Sequence, residues 1–243
     1  MKREYWLILI VYISMQFSSL VGVPLIAFVL GISGKGVEAS KGLAIPYWLI
    51  ISFSIALVIV LFILRKEMAK NDVRKGSSIG SSIIWAFFGV FLAFFAQIVA
   101  ANIEQLLGVN MGSENTQQIL KIINTFPFAI LVSSIIGPIL EEIVFRKILF
   151  GALYKRYNFF ISAVISSVIF ALAHMEPQHV LLYSAMGFTF AFLYIKTKHI
   201  LVPIFAHVAM NTLVVLVQST YKDDIEKLIQ DTKTIQNFIG GFL

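Results

Sequence analysis

The sequence contains no cysteine in 243 residues. A disulfide framework, a thiolate metal site and a cysteine nucleophile are therefore excluded. Charge is scarce too: 13% of residues are Asp, Glu, Lys or Arg, against roughly 25% in an average soluble domain. With 58% hydrophobic residues, 22 Phe and a mean hydropathy of +0.88, the chain reads as an integral membrane protein. Internal repeats and linkers are also missing, so residues 1–243 read as one membrane domain. The net charge of +6 does not imply a nucleic-acid partner, because the basic residues lie mostly in clusters between apolar stretches, as in cytoplasmic membrane loops.

Apolar runs at residues 5–30, 46–64, 83–102, 126–149, 159–174, 180–195 and 200–218 predict an all-α polytopic transmembrane helical bundle of about seven spans. The first run is too long for the apolar part of a cleaved signal and reads as an anchor bent near Pro24. Gly34 to Gly42 reads as a loop. Residues 103–125 are polar except for a stripe of Ile119, Leu120, Ile122 and Ile123, the pattern of a short interfacial helix. Gln97 in the third run is expected to bond a neighbouring helix. In residues 220–243, apolar side chains recur at helical spacing among Asp, Glu and Lys, predicting a C-terminal amphipathic helix. With the N-terminus in the cytoplasm, twelve of the 19 Lys and Arg fall inside, six fall outside, and Arg146 lies within the membrane. That inward bias favours this orientation.

The densest polar feature is Pro138-Ile139-Leu140-Glu141-Glu142-Ile143-Val144-Phe145-Arg146, which places two carboxylates and a guanidinium inside an apolar run. Ionisable groups at that depth cost roughly 2.5–3.5 kcal/mol each on insertion scales and mark a functional site by default. Glu142 and Arg146, at i and i+4, can pair along one helix face. Glu141 is left without an obvious cation, the condition for a general base. Gly137-Pro138 one turn earlier could restart the helix and place Glu141 near a positively polarised helix end, which opposes the desolvation.

Phe170 with His174 and His207 with Asn211 are two further i, i+4 pairs inside apolar runs. At about 1.5 Å per residue, Glu141, His207 and Asn211 lie about 12, 10 and 16 Å from the inner ends of their spans, so they can share a cavity. His174 counts to about 22 Å. Either its span starts late, or the turn at 174–179 dips into the membrane.

Glu-Glu-x-x-x-Arg at 141–146, Phe-x-x-x-His at 170–174 and His-x-x-x-Asn at 207–211 together resemble the three motifs of the CAAX protease and bacteriocin-processing family of intramembrane glutamic proteases. The resemblance covers residues 126–218, the family's catalytic core of helices. It implies that Glu141 and His174 hold and activate a water, that His207 and Asn211 stabilise the oxyanion, and that Glu142 and Arg146, with Phe170, orient the site. It further implies an endopeptidase of a bacterial cell membrane acting on a membrane-associated peptide or protein, with no cofactor.

Other readings of the same residues remain open. The Glu pair with Arg146 could be a structural ion lock, and the cavity could serve a non-proteolytic scaffold that binds a peptide or a membrane kinase. A proton-coupled transporter would also bury Glu and His, although no inverted repeat or pair of broken helices supports one. A catalytic metal lacks the His-Glu-x-x-His helix that sets two histidines one turn apart. Glu176-Pro177-Gln178-His179 has the Glu-x-x-His spacing of di-iron bundles, but in one copy and interrupted by proline. His179 and His199, at span ends, read as solvated or capping.

Overall fold

The computed structural model describes residues 1–69, 76–110 and 112–221. Among these residues the chain is helical throughout, with no strand. Helix α1 is Arg3–Ile32, α2 Val37–Ala69, α3 Ile79–Leu106 and α4 Glu114–Thr125. A composite helix, α5, covers residues 129–153, and is followed by α6 Phe159–Leu172, α7 Val180–Thr197 and α8 Leu201–Thr220. Five described helices, α1, α2, α3, α7 and α8, are long and apolar enough to cross a membrane. With α5 and α6 they make a polytopic bundle of about seven spans. The predicted amphipathic tail and most of the basic stretch between Arg65 and Lys75 lie outside the described residues.

Large apolar side chains that a soluble fold would bury point outward instead, among them Phe17, Leu20 and Phe91 at 66%, 73% and 70% exposure. They form the lipid-facing belt. Inside, helices close on small residues, as expected where lipid supplies no hydrophobic drive between helices. Trp48 of α2 lies over Gly22 of α1 and donates its indole N–H to Ser18 at 3.1 Å. A Cβ at Gly89 of α3 would meet Leu193 of α7 at 2.6 Å, and one at Gly187 of α7 would meet Ser167 of α6 at 3.0 Å. These three glycines allow the close approach.

Two segments differ from the sequence expectation. The stretch from Gly34 to Gly42 is mostly helix, because α2 begins at Val37 with Glu38 in its first turn, where a carboxylate suits the positive helix end. Helix α6 starts at Phe159 as expected, its first turn capped by Asn158 on the Ile161 N–H at 3.0 Å, but has only 14 residues. At about 1.5 Å per residue it is about 21 Å long, short of a hydrocarbon core of about 30 Å. The turn after α6 therefore lies within the membrane thickness, and this sets the depth of His174.

That turn is held by carboxylates from outside its own helices. Glu104, near the end of α3, accepts from Leu182 N–H at 2.9 Å with one oxygen and meets His179 Nδ1 at 2.8 Å with the other. Glu176 accepts from Ser113 Oγ, the Asn115 N–H and the Tyr183 hydroxyl at 2.7, 2.8 and 2.6 Å. Since Ser113 also caps α4 by accepting from Thr116 N–H, Glu176 fastens the turn to the start of α4. Helix α4 is the expected interfacial element: Ile119, Leu120 and Ile122 pack with Ile123 against Ala129 and Val215. At the opposite end of the bundle, Glu67 joins Lys2 at 2.9 Å, Lys147 at 3.1 Å and Tyr5 at 2.8 Å, tying α1, α2 and α5 together.

Candidate active site

Helix α5 is not a uniform α-helix. Val132–Ile136 and Glu142–Phe150 wind as wider π turns on either side of the α-helical Gly137–Glu141. Such turns, with i→i+5 hydrogen bonds, occur mostly as inserts at functional sites. Pro138 sits at the start of the central segment, where its missing N–H is tolerated.

The two adjacent glutamates occupy different environments. Glu142 is wholly buried: one oxygen meets His207 Nδ1 at 2.8 Å and the other lies 3.2 Å from Arg146 Nε. Arg146, 1% exposed, turns its guanidinium face to aromatic rings, with Cζ 4.2 Å from the Phe170 centroid and 5.3 Å from that of Phe190. Its Nη atoms find no hydrogen-bond acceptor. The charge is thus held by one carboxylate and by ring quadrupoles. Glu141 keeps 20% of its side chain exposed and lines a cavity of about 800 Å³, within the usual range for ligand pockets of roughly 300–1,000 Å³.

His207, 1% exposed, stands between the two carboxylates. Its imidazole stacks on Phe190 at 4.7 Å, and its Nε2 lies 3.7 Å from Glu141. That separation exceeds a direct hydrogen bond. His174 donates Nδ1–H to the Phe170 carbonyl at 2.8 Å, leaving Nε2 as the acceptor. Its ring stacks on Tyr183 at 4.1 Å. Asn211 donates to the Ser133 carbonyl, in the first π turn, at 3.3 Å. Glu141, His174, His207 and Asn211 all line the one cavity, while Glu142, Arg146 and Phe170 lie behind it.

Four further residues support the constellation and were not singled out for it from sequence: Glu104, Glu176, His179 and Tyr183. His179 is a correction. Expected to be solvated or capping, it is 5% exposed and bonded to Glu104, 75 residues away, which no local pattern reveals. His199 does cap, its Nε2 donating to the Ser77 carbonyl at 3.0 Å. Gln97 lines the cavity. The Glu-x-x-His spacing at 176–179 brings no ligands together, since Glu176 turns to α4 and His179 to α3.

Comparison with known proteins agrees with the location of this site. A family model described as type II CAAX prenyl endopeptidase Rce1-like matches residues 123–213, which contain all seven residues of the constellation. The protein named membrane peptidase YdiL, from Bacillus subtilis, is 49% identical over 99% of both chains. The membrane-embedded CAAX protease MroQ from Staphylococcus aureus is 33% identical over 94% of both chains. No solved structure matches the chain. Since both alignments run nearly end to end, the chain belongs to the CAAX protease and bacteriocin-processing family of membrane proteases.

Proposed function

We propose that the protein is an intramembrane endopeptidase in which Glu141 activates a water for attack on a peptide bond. The observation that carries the reading is the division of labour between neighbouring carboxylates. Glu142 has both oxygens occupied by His207 and Arg146, whereas Glu141 faces the cavity beside His174 and His207. In this scheme the water donates one hydrogen bond to Glu141 and another to the free Nε2 of His174. As its oxygen attacks the scissile carbonyl carbon, its proton passes to Glu141, which later delivers it to the leaving amine. Proton and leaving group balance without another reactant.

The developing oxyanion needs donors. His207 supplies one through Nε2–H when both ring nitrogens carry protons, its Nδ1–H being held by Glu142. Asn211 supplies another from its amide, which the Ser133 carbonyl orients. Each such donor is worth roughly 10²–10³ in rate. Arg146, through Glu142, positions His207, and Phe170 covers the guanidinium while its carbonyl fixes the tautomer of His174.

The scheme uses no metal. Among the described residues no three His, Asp or Glu side chains are spaced to hold one, and Glu142 is already engaged. The substrate proposed is a peptide or membrane protein reached from the bilayer, and the N-terminus is placed in the cytoplasm. The test is mass spectrometry of membrane-associated peptides from cells making the wild-type chain or Glu141→Gln. Products present with the wild type and absent with the variant are expected. Identical peptide profiles from two equally abundant proteins would overturn the proposal.

A further inference from the structure

The cavity occupies one end of the bundle, and the bundle's basic side chains occupy the other. Following the chain, the start of α1, the end of α2, the end of α5, the start of α6 and the end of α7 lie together. They carry Lys2, Arg3, Arg65, Lys66, Lys147, Lys155, Arg156, Lys196 and Lys198. The described basic residues at the opposite end are Lys35, Lys41 and Lys121. By the bias of positive charge toward the cytoplasm, the first end faces inward. The cavity is built from the second: Leu49 and Phe53 early in α2, Gln97 to Glu104 late in α3, all of α4, and Met210 to Gln218 late in α8.

Between Glu141 and the basic end the bundle is filled by apolar side chains. Leu140, Ile148, Phe170, Phe190 and Leu193 have no exposure. A substrate therefore has no polar path from the cytoplasm to Glu141. The lining facing the other side is rich in carboxamides: Gln16, Gln97, Asn115, Gln117, Gln118 and Asn211. Each offers both donor and acceptor, the pair of functions that an extended peptide backbone presents at every residue. An isoprenoid chain would satisfy none of them.

We infer that this cavity admits, from the extracytoplasmic side, an extended peptide segment held through its backbone, with no lipid tail required for binding. The inference rests on the peptidase reading for its chemistry, but side of access and ligand class can be measured without turnover. The absence of cysteine makes single-cysteine labelling direct. Gln118→Cys places a thiol on the exposed wall of the cavity, and Lys155→Cys places one at the basic end.

In intact cells, a membrane-impermeant maleimide should label Gln118→Cys and should reach Lys155→Cys only after permeabilisation. The reverse pattern would overturn the assignment of side. An unmodified mixed-sequence decapeptide pool should slow labelling of Gln118→Cys several-fold, whereas farnesol should not. Protection by farnesol alone would overturn the assignment of ligand. In right-side-out vesicles the same pool should be cleaved at least ten times faster than in inside-out vesicles, and a farnesylated cysteine at its C-terminus should bring no gain. Cleavage confined to inside-out vesicles or to farnesylated peptides would also overturn the inference. Peptide protection without any Glu141-dependent cleavage would instead sink the peptidase reading and uphold the binding site.

Discussion

Tyr183 lies flat against His174, with ring centroids 4.1 Å apart and planes inclined by 23°, while its hydroxyl is donated to Glu176 at 2.6 Å. The imidazole nearest Glu141 is thereby connected to α4 through one ring and one carboxylate. A histidine in a turn has few restraints of its own. Here the Phe170 carbonyl holds one edge of the ring and Tyr183 holds one face.

Substitution at Tyr183 should separate these two functions. Tyr183→Phe keeps the stack and loses the hydroxyl bond, so cleavage should stay near wild type while stability falls by about 1 kcal/mol. Tyr183→Ala also frees the imidazole, and turnover should fall about tenfold, a loss equivalent to about 1.4 kcal/mol. Steady-state kinetics beside thermal melts in detergent would check both. Equal turnover in the two variants would show that the stack does not position His174.

The Glu142 and Arg146 pair calls for a double-mutant cycle. Glu142→Gln leaves a buried guanidinium short of its carboxylate, a lesion that costs about 3–5 kcal/mol. Glu142→Gln combined with Arg146→Gln should recover part of that stability, because both charges leave together. Activity need not return, since His207 has lost its acceptor. Denaturation midpoints for the two singles and the double would decide, and strictly additive losses would refute the pairing.

Acid should loosen the turn that carries His174. Burial raises the pKa of Glu176, but the bonds it accepts from Tyr183, the Asn115 N–H and Ser113 outweigh this and hold it below its ordinary value. A carboxylate depressed in the folded state stabilises fully above the unfolded value of about 4.3, and that contribution fades as pH falls toward the lower folded value. Melting temperature should therefore separate wild type from Glu176→Gln near neutrality, and the gap should narrow below about pH 4. A constant gap across that range would remove Glu176 from the account.

Chelation should leave cleavage unchanged. Purified protein treated exhaustively with EDTA and phenanthroline should keep its rate, with less than stoichiometric metal by elemental analysis. Stoichiometric zinc whose removal stops cleavage and whose return restores it would replace the glutamate mechanism with a metal one.

Much of this organisation was legible because it is local. Apolar run lengths gave α1 to α3, α7 and α8 to within a few residues. Spacing at i, i+4 gave the Glu142–Arg146 pair and the closeness of Phe170 to His174, because a helix turn fixes those neighbours whatever surrounds them. Contacts across the fold were not legible. Nothing near Glu104 indicates that its carboxylate will cap Leu182 and meet His179, or that Glu176 will reach back 61 residues to Asn115. Phe170 marks the intermediate case. Its carbonyl could be placed from sequence beside His174, but its ring covers Arg146 because α6 packs against α5.

The wide turns over Glu142–Phe150 govern how this chain can tolerate changes of length. An i→i+5 turn holds more residues than the α-helical path it replaces, so deleting one residue there would let an ordinary ladder close without breaking the helix. Everything after the deletion would then be turned by about 100° about the axis. Lys147 would swing away from Glu67, and Arg146 from the carboxylate and rings that hold it. A frame-preserving deletion between Glu142 and Phe150 should thus give a helical, membrane-inserted protein with a scrambled site, whereas substitutions of similar size at lipid-facing positions of the same helix should pass unnoticed.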